Sequence, residues 1–142
     1  MGHIYAKALF RGSKGVHEEQ SMLVDTGATY TFLPLSVIEK IGAVRTPWKI
    51  KIRLGDGRIM EGEIALGLIE LEEREAPVKI VIADGAMEVI GVETLEALGL
   101  KANPITGKLE PTREPGALLV SLRKMATLEE KTEILERGEI ND

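Results

Sequence analysis

The chain has 142 residues, of which 44% are hydrophobic and 29% charged, and its formal net charge is −5 at pH 7. This balance is typical of one globular domain with a modest core. The acidic charge disfavours a surface for nucleic acid or for an anionic membrane, because phosphate groups would repel it. The absence of cysteine excludes disulfides, thiolate metal sites and a cysteine nucleophile, and two histidines offer little for a triad or a metal cluster. We therefore expect no metal and no other cofactor.

The sequence shows no sign of membrane insertion or export. No apolar run approaches the roughly 20 residues that a membrane-spanning helix needs. The N-terminal residues lack the apolar core and the small-residue cleavage site of a signal peptide. Together with the lack of cysteine, which fits a reducing compartment, these features predict a cytoplasmic protein with neither a membrane nor a nucleic acid as partner.

Short strands separated by turns dominate the predicted secondary structure. Apolar and basic residues alternate between Trp48 and Leu54, which is typical of a half-buried strand, and Gly55-Asp56-Gly57 follows as a tight turn. In chain order we predict strands at residues 3–10 and 20–24, a helix at 34–41 that ends at Gly42, strands at 48–54, 59–72 and 78–83, a helix at 92–98 that ends at Gly99, and a final helix at 127–137. The segment 59–72 changes its apolar phase between Leu68 and Ile69, which predicts a bulge or a break there.

Asp25 lies directly between an apolar strand and a glycine turn, in the segment Met22-Leu23-Val24-Asp25-Thr26-Gly27-Ala28. The end of a strand can hold the Asp25 carboxylate rigidly at the edge of a core. Gly27 allows the backbone to approach that carboxylate closely, so that amide N–H groups can bond its oxygens. The Thr26 hydroxyl can lock the turn. These features preorganise a carboxylate for chemistry.

Three segments, in this order, resemble the retropepsin-like (retroviral-type) aspartic proteases, a family with single-domain microbial members. The first, residues 22–34, resembles the family's catalytic signature. The second, residues 48–64, lies where these proteins carry the flap over the substrate. The third, Glu88-Val89-Ile90-Gly91 followed by a short helix, resembles the apolar-apolar-glycine segment behind the catalytic loop. A hairpin predicted at residues 100–110 further resembles the microbial members.

The resemblance implies a mainly β, closed-barrel-like acid-protease (retropepsin) fold with two or three short helices, in a homodimer. It assigns catalytic roles to Asp25, Thr26 and Gly27. In this family, two aspartates share one proton and activate a water molecule, and the threonine after each aspartate bonds across the twofold axis. Because the sequence contains only one Asp-Thr-Gly, the second carboxylate must come from a second copy of the chain.

The same resemblance implies an extended peptide or protein substrate held between the flap and the catalytic floor. The implied substrate-binding residues are Ala28, Gly55, Asp56, Gly57, Arg58, Ile59 and Ile90. The flap tip is charged here, whereas the retroviral pattern is richer in glycine and apolar residues. The protease domain is expected at residues 1–111. An extension at 112–142 is expected to form a strand, at 117–122, and the final helix, packed on the domain or on the dimer interface.

Two other interpretations are compatible with the sequence. The chain could be a non-catalytic, dimeric peptide-binding module with the same fold, or a β-rich interaction protein in which Asp-Thr-Gly occurs by chance. The extension could also block the cleft or dock a partner. Isolated features have structural interpretations: Trp48 packs at the flap base or in the core, Tyr30 packs beneath the catalytic loop, and residues 70–75 form a solvent-exposed charged face.

Overall fold

Nine strands and two short helices make up the part of the chain that the computed structural model describes, residues 3–85 and 88–114. In chain order the elements are β1 (Ile4–Arg11), β2 (His17–Val24), β3 (Thr31–Leu33), α1 (Leu35–Ile41), β4 (Val44–Arg53), β5 (Ile59–Leu71), β6 (Arg74–Ile82), β7 (Val89–Ile90), α2 (Val92–Leu98), β8 (Leu100–Asn103) and β9 (Lys108–Pro111). The mainly β class predicted from the sequence is confirmed. No helix in this described part is long and apolar enough to cross a membrane. The strand at 117–122 and the helix at 127–137 lie outside the described residues.

Seven strands form one sheet in the order β1-β2-β7-β3-β6-β5-β4. β1 also pairs with β5, so the pairings of β1, β2, β7, β3, β6 and β5 form a ring that leaves β4 at an open edge. β2 runs parallel to β7, and β3 runs parallel to β6, so segments from the two halves of the chain alternate in the middle of the sheet. This order places the end of β2 beside β7. The predicted hairpin at residues 100–110 is present as β8 and β9.

The hydrophobic core contains side chains from the sheet and from both helices. Phe10 of β1 and Met22 of β2 are fully buried, and Val24 is 8% exposed. Complete burial of a side chain the size of Phe10 stabilises the fold by about 1.5–3 kcal/mol. Because β2 is packed in this way, the residue that follows it has a fixed position. The two helices contribute Val37, Ile38, Ile41, Leu95 and Leu98 to the same core.

Both short helices end where the sequence predicts. α1 follows Pro34, whose fixed φ suits a helix start, and is stopped by Gly42, while α2 is stopped by Gly99. The two glycines have left-handed backbones with φ of 72° and 70°, a conformation that few other residues tolerate. The start of α1 also has a partner that the sequence did not reveal, because Leu35 N–H donates to Asp84 Oδ1 at 2.9 Å.

Strand β5 is continuous, so the predicted bulge or break between Leu68 and Ile69 is wrong. Its pairing with β6 keeps one register throughout. On its other side, β5 pairs with β4 up to Leu66 and with β1 from Leu68 onward. The apolar phase shifts where the neighbouring strand changes from β4 to β1. The register irregularity lies in β4 instead, between Arg45 and Lys49.

Two structural interpretations made from the sequence hold only in part. Arg74, within the stretch expected to face solvent, is only 6% exposed, and its guanidinium donates to the Leu98 and Gly99 carbonyls at 3.1 Å each. A buried charge needs such partners, and carbonyls at the end of a helix lack partners within it. Trp48 does not pack in the core, since it is 64% exposed on the edge strand β4.

Candidate active site

Asp25 is the first residue after β2, where the chain leaves the sheet. Its backbone N–H donates to Ile90 O at 3.0 Å, which ties it to β7. Gly27 N–H donates to Asp25 Oδ1 at 2.9 Å, and Ala28 N–H donates to Asp25 O at 3.0 Å. The side chain is half-buried, and its Oδ2 accepts no hydrogen bond from the described residues. The turn therefore fixes one carboxylate oxygen and leaves the other available.

The loop after the aspartate is held from behind by the first turn of α2. Val92 N–H donates to Ala28 O at 2.8 Å, and Glu93 N–H donates to Thr29 O at 3.0 Å. Amides in the first turn of a helix have no acceptor within the helix, so they are available for this contact. The helix thus supports the backbone of the Asp25 loop directly.

Gly91 and two buried threonines complete the contact between this loop and α2. A Cβ at Gly91 would lie 2.4 Å from Tyr30 O, so only glycine fits there. The Gly91 N–H donates to Thr31 Oγ1 at 3.3 Å, and Thr31 Oγ1 lies 2.6 Å from Thr94 Oγ1. No local pattern in the sequence marks Thr31 and Thr94 as partners, and the sequence interpretation missed both.

A cleft of about 710 Å³ opens beside the Asp25 turn. One side of the cleft is lined by residues of β2, β3, β7 and the turn. The other side is lined by six consecutive residues of the β4–β5 hairpin, 50–55. The hairpin therefore faces the turn across the cleft. The charged residues of the lining are Asp25, Lys51 and Arg53, and its apolar part includes Leu23, Phe32, Ile50, Ile52 and Val89.

The structure brings only some of the predicted site residues together. Thr26 is exposed beside a different hollow of about 480 Å³, between α2 and β8. Ile90 is fully buried and reaches the site only through its carbonyl, while Val89 lines the cleft in its place, because neighbouring residues of a strand point to opposite faces. The predicted residues that do line the cleft are Asp25, Gly27, Ala28 and Gly55.

The other predicted substrate-binding residues lie at the hairpin tip, away from this cleft. Asp56 and Arg58 border a separate hollow of about 400 Å³ together with Gly55. The Arg58 backbone N–H donates to Asp56 Oδ1 at 2.9 Å, and its Nε donates to Asp56 Oδ2 at 2.6 Å. Gly57 and Ile59 are exposed and border neither of these two hollows.

Two charged groups next to the site have shifted pKa values. A hydrogen bond to Glu93, with 3.0 Å between Lys79 Nζ and Glu93 Oε1, raises the pKa of Lys79. The same ammonium lies 5.9 Å from the ring centroid of Tyr30, within cation–π range, and Tyr30 lines the cleft. Burial raises the pKa of Glu88, whose backbone carbonyl accepts Leu23 N–H at 3.3 Å.

The fold and the Asp25 turn together define a retroviral-type aspartyl protease domain. Over residues 15–101, the chain matches the family model described as "gag-polyprotein putative aspartyl protease". The match covers more than half of the chain and includes the Asp25 turn, the β4–β5 hairpin and α2, so the chain belongs to this family. The resemblance predicted from the sequence is confirmed. A comparison with curated proteins gives no match.

Proposed function

We propose that this chain is an aspartic endopeptidase that acts as a homodimer, with one Asp25 from each copy in a shared site. The position of Asp25 carries the proposal. A backbone amide fixes one carboxylate oxygen, the other oxygen is available, and the residue borders a cleft faced by the β4–β5 hairpin. Membership of an aspartyl protease family supports the same type of reaction.

Within the described residues, one protomer places no second carboxylate in the cleft beside Asp25. The other two aspartates in the described residues are engaged elsewhere: Asp56 binds Arg58 at the hairpin tip, and Asp84 accepts Leu35 N–H at the start of α1. Neither lines the cleft. A twofold axis between two Asp25 side chains supplies two chemically equal carboxylates.

Thr26 is suited to a contact between the two copies. Its side chain is exposed next to Asp25 and makes no hydrogen bond within residues 3–85 and 88–114. The hydroxyl is therefore available to a second chain. In an isologous interface, a contact made by one Thr26 is repeated by the Thr26 of the other copy. Because Thr26 follows Asp25 in the chain, a twofold axis between the two aspartates also brings the two threonines close together.

The reaction begins with one water molecule held between the two carboxyls. The two carboxyls share one proton, because two carboxylate charges about 3 Å apart repel each other strongly and the two groups do not readily ionise together. The ionised carboxylate takes a proton from the water, whose oxygen attacks the scissile carbonyl carbon, while the protonated carboxyl gives its proton to the carbonyl oxygen. The resulting diol returns one proton to a carboxylate as the other carboxyl protonates the amide nitrogen. The C–N bond breaks and releases a carboxylic acid and an amine.

An extended peptide is the substrate shape that fits this cleft. Leu23, Phe32, Ile50 and Val89 provide apolar walls. β4 is the open edge of the sheet, and an edge strand offers unpaired N–H and C=O groups to a peptide backbone. We therefore propose that an extended backbone with apolar side chains near the cut bond is required for cleavage.

A peptide-library digest over a pH series tests the proposed reaction. The three proteins compared are wild type, Asp25→Asn and Asp84→Asn. Both variants remove one carboxylate, and the side-chain amide that replaces the Asp84 carboxylate keeps an oxygen for the Leu35 N–H. We expect wild type and Asp84→Asn to cut the same peptides and Asp25→Asn to cut none. Wild-type rates in Asp25→Asn contradict the proposal.

Two further measurements separate the alternatives. Fluorescence anisotropy reports whether labelled peptides bind, so binding without any cleavage by wild type identifies a non-catalytic module. Analytical ultracentrifugation at the concentration used for cleavage reports the assembly. A monomer that cleaves peptides contradicts the dimeric site, and a monomer that neither binds nor cleaves peptides indicates an interaction protein of another kind.

A further inference from the structure

Strand β4 carries four basic residues and no acidic ones. Arg45 and Lys49 form ion pairs with glutamates of β5, with 2.5 Å and 3.7 Å between the charged atoms. Lys51 and Arg53 are exposed, and neither forms an ion pair within residues 3–85 and 88–114. The half of β4 nearer the hairpin tip therefore carries two cations without a carboxylate partner in the described structure.

Lys51 and Arg53 both line the cleft that contains Asp25. Among the described lining residues, they are the cations, and Asp25 is the acidic residue. The whole chain carries a net charge of −5, so a positively charged hairpin strand beside the cleft runs against its overall balance. A surface of this sign attracts negative ligands.

We infer that Lys51 and Arg53 select peptides that carry acidic side chains. This inference rests on the proposed endopeptidase function and adds a substrate class to it. A single exposed ion pair changes binding only a few-fold, but the interaction strengthens where substrate and hairpin displace water. For a peptide with two matched acidic residues we expect about a 3- to 10-fold higher kcat/KM than for its neutral counterpart.

The spacing of the two cations also predicts the spacing of the acidic residues. Lys51 and Arg53 are two positions apart on one strand, so their side chains leave the same face of it. An extended peptide alongside β4 has the same period, so acidic residues two positions apart match both cations. Ile50 and Ile52 alternate with the two cations along the strand and provide the apolar part of the same cleft lining. In a twofold dimer the pair is repeated, which predicts the preference on both sides of the cut bond.

Matched peptides test this selection. From one cleaved library sequence, a peptide with two glutamates two positions apart is compared with the same peptide carrying glutamines. Wild type is expected to cut the glutamate peptide about 3- to 10-fold faster in kcat/KM, and the ratio is expected to fall as salt is added. The double variant Lys51→Gln/Arg53→Gln is expected to lose the preference, and Lys51→Glu/Arg53→Glu is expected to reverse it.

The double variant Arg45→Gln/Lys49→Gln is the control, because it removes two cations from the same strand outside the cleft lining. It is expected to keep the wild-type ratio. A wild-type ratio near one, a ratio that survives Lys51→Gln/Arg53→Gln, or an equal loss in the control overturns the inference.

The same peptides separate this inference from the proposed function. Their binding to the Asp25→Asn protein, measured by fluorescence anisotropy, does not depend on hydrolysis. If wild type cuts no peptide, the proposed function fails, and the binding ratio of glutamate to glutamine peptide still decides the role of the two cations. The inference is supported if the Asp25→Asn protein binds the glutamate peptide more tightly than the glutamine peptide and loses this difference when Lys51→Gln/Arg53→Gln is added. Equal binding of the two peptides overturns it.

Discussion

Thr31 and Thr94 form a buried hydrogen bond, with 2.6 Å between their hydroxyl oxygens, although 63 residues separate them in the chain. Thr31 is 0% exposed and Thr94 is 3% exposed. Thr31 also accepts the Gly91 N–H, so one hydroxyl joins β3, α2 and the segment between β7 and α2. Because the Asp25 loop rests on the same turn of α2, this bond lies directly behind the candidate active site.

Replacing Thr94 by valine is expected to destabilise the fold. Valine keeps the shape but leaves the buried Thr31 hydroxyl without its partner, which costs about 1–3 kcal/mol. Thr94→Ser retains the hydroxyl and is expected to keep most of that stability. Urea unfolding of the two variants gives the comparison, and equal midpoints for Thr94→Val and Thr94→Ser would show that the hydrogen bond contributes nothing.

Gly91→Ala is expected to damage the contact between α2 and the Asp25 loop. The new Cβ would lie 2.4 Å from Tyr30 O, and its nearest neighbours are backbone atoms of Thr29 and Tyr30, which cannot rotate away as a side chain can. We expect a loss of about 1–3 kcal/mol in the free energy of unfolding. Gly55→Ala is the control, since a Cβ there meets nothing within 4 Å. Similar stability losses for the two variants would contradict the close approach.

Two substitutions in the turn between β5 and β6 are predicted to stabilise the fold. Glu72 and Glu73 have φ of 54° and 61°, which is unfavourable for residues with a Cβ. Two consecutive positive φ angles match a type I′ turn, where Asn-Gly is preferred. Glu72→Asn with Glu73→Gly is therefore expected to raise the unfolding free energy by about 1 kcal/mol. Thermal melts test this, and an unchanged or lower melting temperature counts against the turn geometry.

Glu88 is expected to make stability depend on pH. Burial raises the pKa of Glu88, so its carboxyl binds a proton more tightly in the folded than in the unfolded protein. Its contribution to stability is present below the unfolded pKa, about 4.3, and is lost as pH rises through the folded pKa. Glu88→Gln is therefore expected to stabilise the protein at pH 7 relative to wild type and to have little effect at pH 3.

Unfolding free energies measured across this pH range test the expectation. Glu19→Gln removes the same charge from an exposed position on β2 and provides the baseline. Burial predicts that the stability difference between Glu88→Gln and wild type shrinks as the pH falls. A difference that grows toward acid pH would contradict the prediction.

Local signals in the sequence were enough to predict the helix ends and tight turns, because each is determined by a few neighbouring residues. Gly42 and Gly99 end the helices because a left-handed residue is needed at each position. Gly55-Asp56-Gly57 forms the hairpin tip, with Gly57 N–H donating to Leu54 O at 2.9 Å. The Asp25 turn is local in the same sense, because its carboxylate is bound by an amide two residues away.

Features that depend on distant partners could not be derived in this way. Arg74 is buried because α2 offers the carbonyls of Leu98 and Gly99, and nothing near Arg74 in sequence indicates this. The phase shift in β5 coincides with a change of neighbouring strand, which a pattern along one strand does not reveal. The cleft wall formed by residues 50–55 likewise depends on how the hairpin is placed against the Asp25 turn.

Mixed dimers of wild-type and Asp25→Asn subunits decide whether two Asp25 residues act as one site. The subunits are unfolded and refolded together at known ratios, and peptidase activity is measured at constant total protein. Because only a wild-type homodimer has two Asp25 carboxyls, we expect activity to fall as the square of the wild-type fraction, leaving about one quarter in an equal mixture. Activity in direct proportion to the wild-type fraction, about one half in that mixture, would contradict a site shared between two chains.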